Sequence, residues 1–395
     1  MTAASDRERL LSMGFPVDLG EWSFSSSHGR FRVEPNPRVY CLLYRRGEIV
    51  GFGSHSSYGG PHAEVVAIRD AGSKARGATA YVTLEPCTTT GKTGPCADAL
   101  AKAGVKRVVW AIEDPNPAHK GKAAAALRAH GILAEGPAFR TDPFPDLTLG
   151  LRRSLASDRP WVIAKWAQSL DGKLALERGK PASISGAASW REVHELRGRV
   201  EAVAVGVGTV LADDPRLDCR LPDGPPDGRP QPAAVVFDSR LRTPIRSKLV
   251  RGASLARPLH LYVAAAPALR LREFARKPGV VVTRIPGRNG RVDLARALVH
   301  LKAQGCRRLL VEGGGTLTGA LLAAALVDQV AAIVAPLVVG DPKAPSLELP
   351  AGARARSGLP RLESAHGRRI GDDVWIEGYV APSRVKVAAG RTSVR

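Results

Sequence analysis

"HAEVVAIRDAG", residues 62–72, is followed fifteen residues after Gly72 by "CTTTGKTGPC", residues 87–96. Pro61 before the first stretch and Gly72 at its end mark a short helix. "PCADALAKAG", 95–104, has the same punctuation, with Pro95 near its start and Gly104 at its end. Between them "ATAYVTLEP", 78–86, reads as a buried strand. Working outward, "VYCLLYRRGEIVGFGSH", 39–55, is a hairpin about Arg46-Gly47-Glu48. Downstream come a strand "VKRVVWAIED", a helix "KGKAAAALRAHG" and a strand "ILAEGP". Strands alternating with helices predict an α/β unit with parallel neighbours.

The pattern lapses at 136–147, "GPAFRTDPFPDL", and restarts at "PWVIAKWAQSLDG". A boundary there divides the chain into 1–147 and 148–395. The second part also alternates. "EAVAVGVGTVL", "PAAVVFDS", "LHLYVAAA" and "GVVVTRI" read as strands, followed by a helix through "VDLARALVHLKAQG". Then come a strand "RRLLVEGG", a helix "TLTGALLAAALVD" and a strand "QVAAIVAPLVVG". The basic C-terminal stretch "SRVKVAAGRTSVR" reads as a frayed tail.

Bulk properties narrow the classes. The chain has 395 residues, 44% hydrophobic and 24% charged, which is globular rather than disordered. No apolar run approaches the ~20 residues that cross a bilayer. The charged N-terminus lacks a signal-peptide core, so a soluble, cytoplasmic protein is expected. Five thinly spread cysteines argue against a disulfide framework and leave room for a metal. The net charge of +21 is uneven: residues 1–150 carry +3 and residues 151–395 carry +18. A basic second half suits anionic ligands such as nucleotides or sugar phosphates, or is a solvated positive face. A nucleic-acid-binding role lacks aromatic-interleaved basic motifs, with aromatics only 5%; no nucleic-acid or membrane partner is expected.

His62, Glu64, Pro86-Cys87 and Cys96 follow the order H-x-E, P-C, C of zinc-dependent deaminases. The chemistry needs those types. Zinc on three protein ligands with one open position lowers the pKa of bound water to about 7. A carboxylate outside the coordination shell then moves protons. His62, Cys87 and Cys96 would be the ligands and Glu64 the shuttle. A lone H-x-E is noise, a buried Cys is more often core, and a structural zinc would want a fourth donor, for which His55 is nearest. The joint pattern is specific, though C-x8-C is longer than the usual C-x2-C.

Taken together, "PNPRV", "GFGSHSSYGGPHAE", "ATAYVTLEPC", "EDPNPAHKGK", "RPWVIAKWAQSLDGKLA", "VGTVLADDPRL", "LVEGGGTLTGALL" and "LVDQVAAIVAPLVVG" resemble the bifunctional riboflavin-biosynthesis deaminase/reductase family, in family order from about residue 35 to 340. The resemblance implies a cytidine-deaminase-like three-layer α/β/α domain followed by a dihydrofolate-reductase-like α/β domain. It implies hydrolytic deamination of a 2,5-diamino-6-(5-phosphoribosylamino)pyrimidinone, then NADPH reduction of the ribosyl to a ribityl chain. Cofactors would be Zn2+ and NADPH, and the assembly a dimer or tetramer. Substrate contacts would fall on Asn36, Lys92, Asn116, Arg197, Leu217, Arg220 and Glu312. Cofactor contacts would fall on Ala167, Thr209, Asp213, Ser239 and the run Gly314, Gly315, Thr316, Leu317, Thr318, Gly319 and Ala320.

Apart from the resemblance, "VEGGGTLTG" is a strand running into a helix start whose free amides can cradle a phosphate. Arg197 and Arg220 can clamp a ribose phosphate bidentately. Asp171 is as well read as a turn residue as a ligand. Three departures stand out. Thr89 replaces a substrate-contacting His of the zinc loop. Pro181 and Ser183 replace the family's Ser and Trp. "FPVDLGEWSFSSSHGRFRVE" separates the N-terminal helix from "PNP", and Tyr40 replaces a usual Gly. They leave open a second reading, a zinc deaminase of a related heterocycle with a diverged or inactive reductase-like domain.

Overall fold

The computed structural model describes residues 31–89, 94–139, 145–180, 184–350 and 359–381. The chain forms two compact units, Met1–Asp158 and Arg159–Arg395.

The first unit opens with strands β1 (Tyr40–Arg45) and β2 (Glu48–Ser54). Arg46 and Gly47 between them both have positive φ, 52° and 89°, the twist a two-residue hairpin turn requires. Then follow α1 (Ala63–Ala71), β3 (Thr79–Leu84), α2 (Cys96–Lys102), β4 (Arg107–Ile112), α3 (Ala123–Ala129), β5 (Leu133–Glu135) and α4 (Pro145–Leu155). The sheet order is β2-β1-β3-β4-β5, with β1 antiparallel to both neighbours and β3, β4 and β5 parallel. Residue 147, the expected end of the first domain, lies inside α4.

Alternation along the strands gives each face its own core. Cys41, Leu43, Ala80, Val82, Val108 and Trp110 meet Ala63, Ala67, Ala97, Leu100, Ala123 and Leu127 of the three helices. Leu42, Tyr81, Val109 and Ala111 on the other face pack with Ala138 and Phe139. The small helix residues have a purpose. A Cβ on Gly53 would lie 2.1 Å from the Ala63 carbonyl oxygen, so only glycine lets β2 and α1 approach this closely. That contact fixes the N-terminus of α1, where His62 sits.

The second unit comprises β6 (Trp161–Gln168), α5 (Ala187–Gly198), β7 (Ala202–Gly206), α6 (Val207–Asp213), β8 (Ala233–Phe237), α7 (Lys248–Arg251), β9 (Leu259–Val263), α8 (Ala268–Ala275), β10 (Val280–Arg284), α9 (Leu294–Ala303), β11 (Arg308–Val311), α10 (Gly315–Ala323), β12 (Gln329–Val334), β13 (Leu362–Ile370) and β14 (Asp373–Val380). Its sheet order is β10-β9-β8-β7-β11-β6-β12-β14-β13, parallel from β10 to β12 and antiparallel beyond. Near-continuous apolar runs such as Ala202–Val205 are buried on both faces, as parallel strands are.

Two expectations change. "EAVAVGVGTVL" is not one strand. It ends at Gly206, which caps α6, and burial then passes to Val207 and Val210 at helical spacing. The C-terminal hairpin β13–β14 was not anticipated, because β13 is largely exposed and lacks apolar alternation. The expected frayed tail lies outside the described residues. Among the described residues no helix is long and apolar enough to cross a membrane.

Candidate functional site

In the first unit β3 runs out through Glu85 and Pro86 to Cys87. Pro95 is the N-cap of α2 and Cys96 its first residue, while His62 is the N-cap of α1. Both helix starts thus face the end of one strand. The His62 Nδ1 atom lies 3.1 Å from Cys96 Sγ and 3.6 Å from Cys87 Sγ, and the three donor atoms all lie within 4.8 Å of one another. A tetrahedral zinc with ordinary Zn–S and Zn–N bonds places such atoms about 3.5 Å apart, so the donor set fits that ion in both type and spacing.

The Cys96 amide donates to Cys87 Sγ at 3.3 Å. Hydrogen bonds from Cys96, then from His62, hold the Cys87 thiol well below its usual range. Cys96, which donates its S–H to Cys87 and is buried, is pushed up. The surroundings of Cys87 thus favour the thiolate, the form a metal takes.

Glu64, in the first turn of α1, is 3% exposed. Burial raises its pKa, partly offset by His62. A carboxyl that holds a proton more readily than usual, beside the donor cluster, suits proton transfer.

His55 is not a fourth donor. Its Nδ1 is 2.9 Å from the Pro61 carbonyl, which only accepts, so the proton sits there. The Nε2 atom then accepts from the Asn36 amide at 3.2 Å. Burial lowers the His55 pKa to about 4 and keeps the ring neutral. The imidazole therefore orients Asn36, and among the described residues the donor set stays at three, leaving a corner for water.

Asn116 lies on the loop after β4. Its Oδ1 accepts from the Ala118 amide at 3.0 Å, and its own amide donates to Asp114. Buried Glu85 organises this loop by accepting from the amides of Asp114, Gly121 and Ala123. Thr89 Oγ1 is 3.3 Å from Nδ1 of His119 on the same loop. Sequence reasoning singled out neither Glu85 nor His119. Lys92 lies outside the described residues.

In the second unit the C-terminal ends of β6, β7 and β11 frame a cavity of about 650 Å3. Here the strand order reverses, because β11 inserts between β6 and β7, and open α/β sheets bind ligands at such a point. Ala167, Thr209, Asp213, Arg197, Glu312 and the run Gly314–Leu317 line it.

The remaining expected residues stand back from the cavity. Ser239 Oγ accepts from the Val292 amide, and Leu217 is buried with φ of 58°. Thr318 is fully buried. Gly319 is needed by the chain rather than by a ligand, since a Cβ there would lie 1.8 Å from the Glu348 carbonyl oxygen. Ala320 follows in α10. Asp171 is a turn residue: it accepts from Ser169 Oγ and from the amides of Val339 and Gly340, which draw its pKa far down. Pro181 and Ser183 lie outside the described residues.

Arg197 departs from the expected phosphate clamp. Its Nε and Nη2 donate to both oxygens of Glu312 at 2.6 and 3.0 Å, and its Nη1 donates to the Asp218 carbonyl. The fork is spent within the protein. Lys165, not anticipated, stands 3.7 Å from Glu312. Burial pulls against charge on Glu312, but Arg197 and Lys165 outweigh it and hold the carboxyl down to about 2. Burial lowers the Lys165 pKa, with Glu312 opposing.

Known proteins bear on both halves. The zinc-binding region of cytidine and deoxycytidylate deaminases matches residues 25–112, and the RibD C-terminal domain matches residues 160–376. The riboflavin biosynthesis protein RibD of Escherichia coli is 36% identical over 361 residues, spanning 89% of this chain and 95% of that protein. RibD of Bacillus amyloliquefaciens is 35% identical over 348 residues, spanning 88% and 91%. Among solved structures, form 1 of Acinetobacter baumannii RibD aligns with a TM-score of 0.67 at 32% identity, covering 90% of this chain and 96% of that one. A Thermotoga maritima diaminohydroxyphosphoribosylaminopyrimidine deaminase/5-amino-6-(5-phosphoribosylamino)uracil reductase aligns at 0.63 and 28%, covering 91% and 96%. With both halves matched in order and a His-Cys-Cys zinc triad in the first, the chain belongs to the RibD family of riboflavin biosynthesis, a zinc deaminase fused to a pyrimidine reductase.

Proposed function

We propose that the first unit hydrolyses the exocyclic amine of 2,5-diamino-6-(5-phosphoribosylamino)pyrimidin-4-one. The second then reduces the ribosyl group of the resulting uracil to a ribityl chain with NADPH. The observation that carries this is the open three-donor cluster of His62, Cys87 and Cys96 with a buried, proton-retaining carboxyl, Glu64, beside it.

Zinc held by those donors supplies a hydroxide near neutral pH. The chain does the rest. Glu64 accepts the proton of the water and passes protons to the ring nitrogen and the leaving amine. Asn36, with its amide set by His55, and Asn116, with its Oδ1 held in the loop turn, face the pyrimidine edge.

In the second unit NADPH supplies the hydride. Gly314 caps α10, and the free amides of Gly315 and Thr316 offer donors to an anionic group. Thr209 and Asp213 belong to the same wall, and Ala167 to the β6 edge. Glu312, fixed by Arg197 and Lys165, is a permanent anion that accepts hydrogen bonds from substrate hydroxyls. Arg220, half-exposed and 3.6 Å from the Asp218 carboxylate, would turn its guanidinium to the ribose phosphate. A dimeric or tetrameric assembly is carried from the family resemblance and is tested by sedimentation; the cytoplasmic location expected from the composition is tested by fractionation.

The activities are assayed separately on the phosphoribosylaminopyrimidine, following ammonia release and NADPH oxidation. Both are expected. Ammonia without NADPH oxidation would overturn the second half of the reading, and no ammonia from zinc-loaded protein would overturn the first.

A further inference from the structure

Trp190, on α5, is 43% exposed although it is the bulkiest apolar residue of that helix, and it lines the cavity of the second unit. Its surroundings are ordered. The His194 ring lies 3.9 Å from the indole centroid at an interplanar angle of 48°, and the Arg220 guanidinium carbon lies 5.2 Å from it. If these two groups covered opposite faces of the indole they would be roughly 9 Å apart. Instead Nη2 of Arg220 is 3.4 Å from Nε2 of His194, and the Arg220 amide donates to His194 Nδ1 at 2.8 Å. Both groups therefore lie on one side of the indole, and the other face is uncovered by them.

His194 is fully buried, and burial, with Arg197 and Arg220 adding to it, lowers its pKa to about 4. A neutral ring behind the indole is a rigid apolar backing. The helix repeat puts Trp190, Val193, His194 and Arg197 on one stripe, and all four line the cavity. Arg197 leads to the buried Glu312 and Lys165 at the floor. The same cavity is lined by the glycine run Gly313–Thr316, with the amides suited to an anionic cofactor.

We infer that Trp190 is the aromatic platform on which the substrate's pyrimidine ring stacks in the reductase cavity. This rests on the proposed reductase reading and adds to it a residue that fixes the ring's plane. The cofactor takes the glycine run. The flat heterocycle takes the indole, with its sugar phosphate running past Arg220. Stacking of a base on an exposed aromatic face is sequence-tolerant and strong enough to dominate a ring's affinity.

The test uses the full zinc-loaded chain and measures calorimetric Kd for the ribityl aminouracil phosphate and for NADPH. Trp190→Ala is expected to weaken the pyrimidine about tenfold and NADPH less than twofold. Trp190→Phe keeps a ring face and restores most of the affinity, whereas Trp190→Leu keeps bulk and does not. An equal loss for both ligands, a loss for NADPH alone, no loss at all, or a Leu variant as good as Phe would each overturn the platform. Because the readout is binding, a wild-type chain that binds the pyrimidine but oxidises no NADPH would contradict the reductase reading and leave this inference to be judged on the variants.

Discussion

The two sites of this chain are built in opposite ways. The deaminase site gathers three donor atoms within 4.8 Å from two helix starts and one strand end, and its electrostatics are set by the hydrogen-bonded donors themselves and by burial of the Glu64 carboxyl. The reductase cavity, about 650 Å3, is lined by residues of many elements, and its charge is a buried network of Arg197, Glu312 and Lys165. One site concentrates its chemistry in a point. The other spreads recognition over a surface, which is what the proposed binding of both a nucleotide and a sugar chain would require.

The sharpest way to separate them is Glu64→Gln. Ammonia release should fall by roughly 10²–10⁴-fold, the scale of general acid–base catalysis, with zinc content unchanged and NADPH oxidation unchanged when the deaminated phosphoribosylaminouracil is supplied directly. Parallel loss of both activities would mean the sites are not independent.

Arg197→Ala strikes the other site. It leaves Glu312 buried with Lys165 alone, and breaking such a pair costs about 3–5 kcal/mol. Melting of the second unit and NADPH oxidation should both drop, with ammonia release intact. By contrast Arg107→Ala breaks a pair with Glu135 that is about a third exposed, and should cost about 1 kcal/mol or less.

Next in size is a pH effect shared by the two halves. His55 and His194 each have folded pKa values lowered to about 4. The unfolded chain, near 6.5, therefore binds more protons than the folded one across that window. The stability they contribute is present above 6.5 and is lost as pH falls toward 4. For His55 the full loss is of order 3 kcal/mol. His55→Gln should flatten the acid limb of melting in the first unit but not the second, as followed by pH-resolved calorimetry. The same slope in variant and wild type would show that His55 is not held neutral.

The smallest effect expected is at Thr89→Val, which removes the contact to His119. An exposed hydrogen bond contributes about 1 kcal/mol, so KM for ammonia release should rise no more than about fivefold. A larger loss would give this loop contact a central part in binding.

The comparison also explains what could be read from sequence. His62, Glu64, Cys87 and Cys96 are legible because two donors sit at helix starts marked by Pro61 and Pro95 and the third just past a strand end marked by Pro86, so local spacing carries the geometry. The reductase site was legible only as a list of matching positions. Arg197 looked like a free cation because nothing local shows that Glu312, more than a hundred residues away, occupies its fork. Lys165 did leave a signal, a lone charge in the apolar strand "VIAKWAQ". Trp190 left another, an aromatic one helical turn before a His. Neither identifies a cavity until β11 is seen to insert between β6 and β7. The β7–α6 break was missed for a related reason: "AVGVGTVL" is apolar throughout, and short apolar runs do not distinguish strand from helix. The hairpin β13–β14 is held by its pairing to β12, a long-range contact with no local pattern.

The central claim, a catalytic zinc on one imidazole and two thiolates with an open corner, is tested most directly by X-ray absorption at the zinc edge of the purified chain. Two sulfur neighbours at about 2.3 Å and two nitrogen or oxygen neighbours at about 2.0–2.1 Å are predicted, with scattering from a single imidazole. A shell closed by four protein donors, a second imidazole from His55, or no stoichiometric zinc would contradict it.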